Sequence, residues 1–184
     1  MATVQPIKDM NIIDKLKVEV MKQSYRDYIM LLIGLNTGLR IGDIVPLKVK
    51  DVRNRSHISI IEQKTNKAKR FPVASIKYEL DKYTEGMGNE DFLFTSRQVN
   101  SKGVKSHITT TQAYRALKKA ADSLGIKEFG THSCRKSFGY HYYNKTKDIA
   151  KLMNIFNHSS QSVTLNYIGM TQESIDESLE VFYL

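Results

Sequence analysis

Four side chains of this 184-residue chain, His132, Arg135, His158 and Tyr167, fall within the stretch 131–167 and are of types that together suit attack on a phosphodiester. Tyrosine is an oxygen nucleophile that can form a covalent intermediate. Histidine moves protons near neutral pH, and arginine presents a planar fork of donors that fits a phosphate. His132 and Arg135 are three residues apart, so on a helix they share a face and can reach one phosphate. A free tyrosine has a pKa of about 10, so this nucleophile needs cations beside it.

Each of these residues has a plainer reading. A histidine and an arginine at this spacing also make an ordinary polar helix face. Arg40 with Asp43 three residues on reads equally as a structural ion pair, since a buried arginine is rare unless paired. Lys64, and Lys67 close by, sit in a polar turn where a lysine is usually solvated; the functional alternative is a mobile cation that enters the site with a ligand. Tyr167 is one of ten tyrosines, most of which serve packing, and His158 taken singly says little.

The elements that must position these groups follow from caps and periodicity. Asp9 or Asn11 caps a helix to about Lys22, with Ile12, Leu16 and Val20 on one face. Ser24 opens a second helix whose run from Tyr28 to Ile33 is apolar nearly all round, which marks the core helix. Gly38 stops it, Arg40 follows, and Pro46 limits a short turn through Ile44. Two strands, 57–61 and 69–73, form a hairpin around the turn that carries Lys64 and Lys67. Residues 75–83 suggest a helix, Phe92 to Phe94 a short buried segment, and 97–108 a basic loop. A helix from Thr110 to Leu124 has Ala113, Leu117, Ala120 and Leu124 inward, with Arg115, Lys118 and Lys119 largely off that stripe. Thr131 or Ser133 caps a helix to about Tyr143. Lys147 to Phe156 forms another, with Ile149, Leu152, Met153 and Phe156 inward. In the tail, 172–184, Ile175, Leu179 and Phe182 share a face.

Composition narrows the class. The chain is 41% hydrophobic and 26% charged, ordinary for a folded domain, and its length fits one domain or one and part of another. No apolar run is long enough for a membrane span, and the N-terminus has no signal core, so a cytoplasmic protein is the default. The single Cys134 forms no internal disulfide, and no Cys-x-x-Cys pair suggests zinc. A net charge of +9 attracts polyanions, nucleic acid first among them.

In order, Thr37-Gly38-Leu39-Arg40-Ile41-Gly42-Asp43, a hairpin lysine, His132-Ser133-Cys134-Arg135, Asn157-His158-Ser159-Ser160 and Thr164-Leu165-Asn166-Tyr167 resemble the catalytic domain of tyrosine recombinases, the phage integrase family. The match covers nearly the whole chain after the first ten residues, and its specificity lies in the ordered set. The resemblance implies an α+β, mainly α-helical DNA breaking-rejoining fold with a small antiparallel hairpin on one side. It implies that Arg40 and Arg135 grip the scissile phosphate and that His132 hydrogen-bonds it and accepts the tyrosine proton. Lys64, with Lys67 as fallback, protonates the leaving 5′ oxygen; His158 is a phosphate donor, Tyr167 the nucleophile, and Asp43 the brace of Arg40. Arg115, Lys118 and Lys119 are candidates for DNA-backbone contact.

The expected activity is site-specific recombination through a 3′-phosphotyrosine and a four-way junction, with no metal, ATP or other cofactor. Its expected partners are double-stranded DNA at recombination sites and further protomers in a tetramer, with the tail 172–184 reaching across in trans. The alternatives are a DNA-binding module that has lost strand exchange and a type IB topoisomerase-like enzyme. Asn157 stands where the family usually has glycine, and asparagine tolerates the same left-handed backbone. Cys134 fills a small apolar place, and Lys136 replaces a frequent histidine. Residues 1–10 read as a flexible lead or linker remnant before a catalytic domain at 11–184. The family's N-terminal core-binding domain is absent from the sequence, so the chain is either a fragment or a single-domain member.

Overall fold

The computed structural model describes residues 4–99, 103, 105–170, 176 and 179–182. Helix α1 (Met10–Gln23) starts where the Asp9 side chain accepts from the Asn11 amide, and α2 (Tyr25–Thr37) starts where Ser24 accepts from Asp27. On α1 the buried face is Ile13, Leu16 and Val20, while Ile12 is exposed. Both phases fit the helical repeat, and packing against α2 selects Ile13. Residues 28–34 of α2 are all buried, so this helix is the axis of the main core, and each such aliphatic residue contributes about 1.5–3 kcal/mol by leaving water. Gly38 ends α2 in the left-handed region at φ 66°, and the chain turns into the short α3 (Ile41–Ile44).

Strands β1 (His57–Ile61) and β2 (Ala68–Pro72) pair antiparallel, with Ile61 opposite Ala68. Helix α4 spans Lys77–Thr84. The stretch expected as a basic loop instead contains a second antiparallel pair, β3 (Thr95–Val99) and β4 (Lys105–His107). Its residues are mostly polar and exposed, so no apolar alternation marked it. Helix α5 (Thr110–Ser123) has a capping box between Thr109 and Gln112 and buries Ala113, Leu117, Ala120 and Ala121. Leu124 lies past its end and is exposed, which corrects the expected stripe.

Helices α6 (Ser133–Thr146), α7 (Ile149–Phe156) and α8 (Gln161–Tyr167) close the described fold. Leu152, Phe156 and Ile168 form a second, smaller apolar cluster, packed by Phe138 and Tyr167 among others. Residues 4–9 have no regular structure but lie along α6. The Ile7 amide donates to Ser137 Oγ at 2.8 Å, and Ile7 O accepts from His141 Nε2 at 2.9 Å. No helix among the described residues is long and apolar enough to cross a membrane. Of the apolar tail face, Leu179 and Phe182 are exposed, and Ile175 falls outside the described residues.

Candidate active site

The seam between the main core and the smaller cluster is where the chemistry-bearing residues meet. Arg135, in the first turn of α6, is buried and bridges that seam. Its Nη1 donates to Gly38 O at 2.5 Å and its Nη2 to Phe156 O at 3.1 Å, so it takes up the carbonyls that end α2 and α7. Its guanidinium carbon lies 4.3 Å from the centre of the Phe156 ring.

His132 occupies the N-cap position of α6 without a side-chain cap, which leaves its ring free to turn to the site. Its Nδ1 is 3.0 Å from the Tyr167 hydroxyl. Tyr167 is the last residue of α8, and its half-buried ring packs edge-on against Phe156 and His158. Burial pushes the Tyr167 phenol above its ordinary value, and the charges of Arg135 and Arg40 oppose that rise. Burial lowers His132, with the cations Arg135, Lys136, Arg40 and Lys64 acting in the same direction. A lowered histidine is neutral at pH 7 and can accept a proton through Nδ1. Its Nε2 then carries the hydrogen and is left as a donor.

His158 follows Asn157, which ends α7 in the left-handed region at φ 55°. Its Nδ1 lies 3.2 Å from Thr164 Oγ1. That hydroxyl already donates to Ser160 O at 3.0 Å, so His158 Nδ1 supplies the hydrogen to it. In the neutral ring Nε2 is therefore an acceptor, and His158 donates to an anion through Nε2 only when protonated. Burial, Arg135 and Arg40 lower its pKa.

Arg40 lies between the left-handed Gly38 and α3. Its Nη1 pairs with Glu62 Oε1 at 2.6 Å, and Asp43 Oδ2 stands 4.0 Å from the same nitrogen. Asp43 also accepts the Gln63 amide through Oδ1 at 2.9 Å, which ties α3 to the β1–β2 turn. Lys64 and Lys67 are both exposed on that turn, and the Lys64 charge reaches His132.

Two residues of this region were not singled out from the sequence. Glu62 is completely buried. The β alternation offers a signal for it, because Ile58, Ile60 and Glu62 occupy the same phase and Ile58 is buried. Lys69 on β2 donates to Asn154 O. Burial lowers its pKa against the pull of Glu62, with Lys67, Arg135 and Arg40 adding to the fall. Away from this site, Arg115 and Lys119 are exposed on α5, and Lys118 is paired with Asp122. Burial pushes the Cys134 thiol up to about 12, so it behaves as an inert small apolar group.

Residues 8–174 match the model of the phage integrase family. The chain is 42% identical over 183 residues to the probable integrase/recombinase YoeC of Bacillus subtilis strain 168, covering 99% of this chain and 98% of that protein. It is 25% identical over 167 residues to the tyrosine recombinase XerA of Pyrococcus horikoshii, covering 89% of this chain and 57% of that one. With the tyrosine recombinase XerC of Herpetosiphon aurantiacus it shares 28% over 159 residues, 82% of this chain and 50% of that one. The chain thus spans about half the length of these two relatives. Among solved structures, the XerA recombinase superposes with a TM-score of 0.72 at 20% identity, over 98% of this chain and 66% of that one. The XerH recombinase in a pre-cleavage complex with its difH substrate gives 0.67 at 21%, over 98% and 55%. The fold is the mainly helical α+β fold of tyrosine-recombinase catalytic domains, with two small antiparallel pairs among the described residues rather than one. With the family's model matched over residues 8–174 and a relative 42% identical over 183 residues, the chain belongs to the phage integrase family.

Proposed function

We propose that this chain is a site-specific DNA recombinase that cuts and rejoins strands through Tyr167. The observation that carries this reading is the 3.0 Å contact between the Tyr167 hydroxyl and His132 Nδ1, beside two arginines whose charges act on that phenol. The Tyr167 oxygen attacks phosphorus in line and forms a 3′-phosphotyrosine. His132 accepts the phenolic proton. The P–O5′ bond breaks, and Lys64 protonates the departing 5′ oxygen, with Lys67 as the fallback. Arg40 and Arg135 hold the non-bridging oxygens, and His158 joins them once the phosphate favours its protonated form. Cations fixed before reaction stabilise the growing charge.

The 5′-hydroxyl of a partner strand reverses the step. Two such rounds pass through a four-way junction, and the phosphotyrosine conserves the bond energy without ATP. Double-stranded DNA and further protomers, as a tetramer, are the proposed partners, and the cytoplasm is the proposed compartment. The exposed Leu179 and Phe182 support a trans role for the tail 172–184. DNA-bound recombinases among the structural neighbours support DNA as substrate.

The test uses a nicked DNA substrate that traps the covalent product. Wild type is expected to form the adduct, whereas Tyr167→Phe forms none and binds DNA as before. An adduct with Tyr167→Phe would remove Tyr167 as the nucleophile.

A further inference from the structure

Glu62 touches three separate parts of the site. Its Oε1 pairs with Arg40 Nη1 at 2.6 Å. Its Oε2 accepts from Thr65 Oγ1 at 2.7 Å, inside the turn that carries Lys64, and from Asn157 Nδ2 immediately before His158. Its backbone closes the same turn, donating to Lys67 O at 3.0 Å and accepting from the Asn66 amide at 2.8 Å. The side chain has no exposure at all.

A carboxylate out of water must be paired and hydrogen-bonded, because its desolvation is otherwise uncompensated. Here both oxygens are used: Thr65 lies three residues on in the same turn, while Arg40 and Asn157 come from elements distant in sequence. Asn157 gains a second meaning from this contact. Its backbone at φ 55° suits glycine, yet glycine supplies no amide to reach Glu62.

We propose that Glu62 is a positioning residue of the recombination site. Through Arg40, Thr65 and Asn157 it fixes the first arginine, the lysine-bearing turn and the His158 segment in one arrangement before DNA arrives. This role rests on the recombinase reading given above. Glu62 does not touch the phosphate; it acts through the groups that do. Fixed donors in place before reaction are what make such a site fast.

The test is a charge swap in the full chain. Glu62→Gln keeps the shape, but its amide turns a donor toward Asn157 Nδ2 or loses the acceptor facing Arg40. Asn157→Asp sets a second carboxylate against Glu62. The double variant Glu62→Gln, Asn157→Asp restores a donor facing an acceptor and the original net charge, and position 157 keeps a residue type that tolerates a left-handed backbone.

The readout is the single-turnover rate of adduct formation on nicked DNA at saturating protein, with DNA affinity and thermal midpoint measured alongside. Each single variant is expected to lose roughly 10²-fold in rate, the size seen when one preorganised donor is lost. DNA affinity should change little, and the double variant should recover most of the rate. A Glu62→Gln rate equal to wild type would overturn the role. So would a double variant no faster than the slower single, whether through chemistry or through lost folding. Absence of an adduct with wild type would instead overturn the recombinase reading, and this role with it.

Discussion

The Tyr167 phenol is held protonated at neutral pH, because burial raises its pKa beyond what Arg135 and Arg40 recover. In the proposed mechanism its reactivity rests on a neighbour that can take the proton, and His132 is lowered into its neutral form. Below the ordinary histidine value of 6.5 the base is lost only when pH passes its lowered pKa, so the acid limb of the adduct-rate profile is expected under 6.5. Two histidines also affect stability. His132 and His158 are both lowered in the fold, so the unfolded chain binds more protons below 6.5. Stability falls as pH drops from 6.5 through the lowered values, and urea midpoints at descending pH should record that loss. At the leaving-group end, Lys64→Ala is expected to slow cleavage by about 10²–10⁴-fold, the span of a lost general acid. A 5′ leaving group that needs no proton should restore the rate. Rescue of Lys67→Ala instead would move the role to the fallback lysine.

At the level of elements, the end of α2 is the most constrained junction. Gly38 adopts φ 66°, its carbonyl accepts from Arg135 at 2.5 Å, and a Cβ there would meet the ring of Phe138. Gly38→Ala combines left-handed strain with overpacking, together about 2–5 kcal/mol of destabilisation. A guanidinium melt should show a lower midpoint with an unchanged slope. Arg135 and Gly38 also join the two apolar clusters, so this variant should lose adduct rate as well as stability. The first hairpin was readable because β1 has β-branched residues in alternation and a polar turn. The second pair was not readable, because its residues are mostly exposed and polar. Helix α8, which holds Tyr167, is seven residues long, too short for its apolar spacing to mark it in the sequence.

Across the whole molecule, the net charge of +9 is a long-range attraction for DNA that salt screens. Arg115 and Lys119 stand exposed on α5, whereas Lys118 is already paired with Asp122. Replacing Arg115 and Lys119 by Ala should each reduce the slope of log affinity against log salt by about 0.9. Lys118→Ala should reduce it less. Equal slopes for all three variants and wild type would place the DNA on another face.

The sequence by itself determined the local events. Asp9, Ser24 and Thr109 start helices because each offers an oxygen to an amide two or three residues on, and Gly38 ends one because it has no Cβ. It also held the ordered residues that carry the resemblance to integrases. Tertiary structure alone decided which inward phase α1 uses, which tautomer Thr164 imposes on His158, and what Arg40 pairs with. From the sequence Asp43 was the brace, three residues away; in the fold Glu62 stands closer, at 2.6 Å against 4.0 Å. The physical reason is that a cap is satisfied within its own turn of helix. The buried Glu62 carboxylate takes one bond from Thr65 in its own turn, and the rest come from Arg40 and Asn157, which folding carries in from elsewhere in the chain.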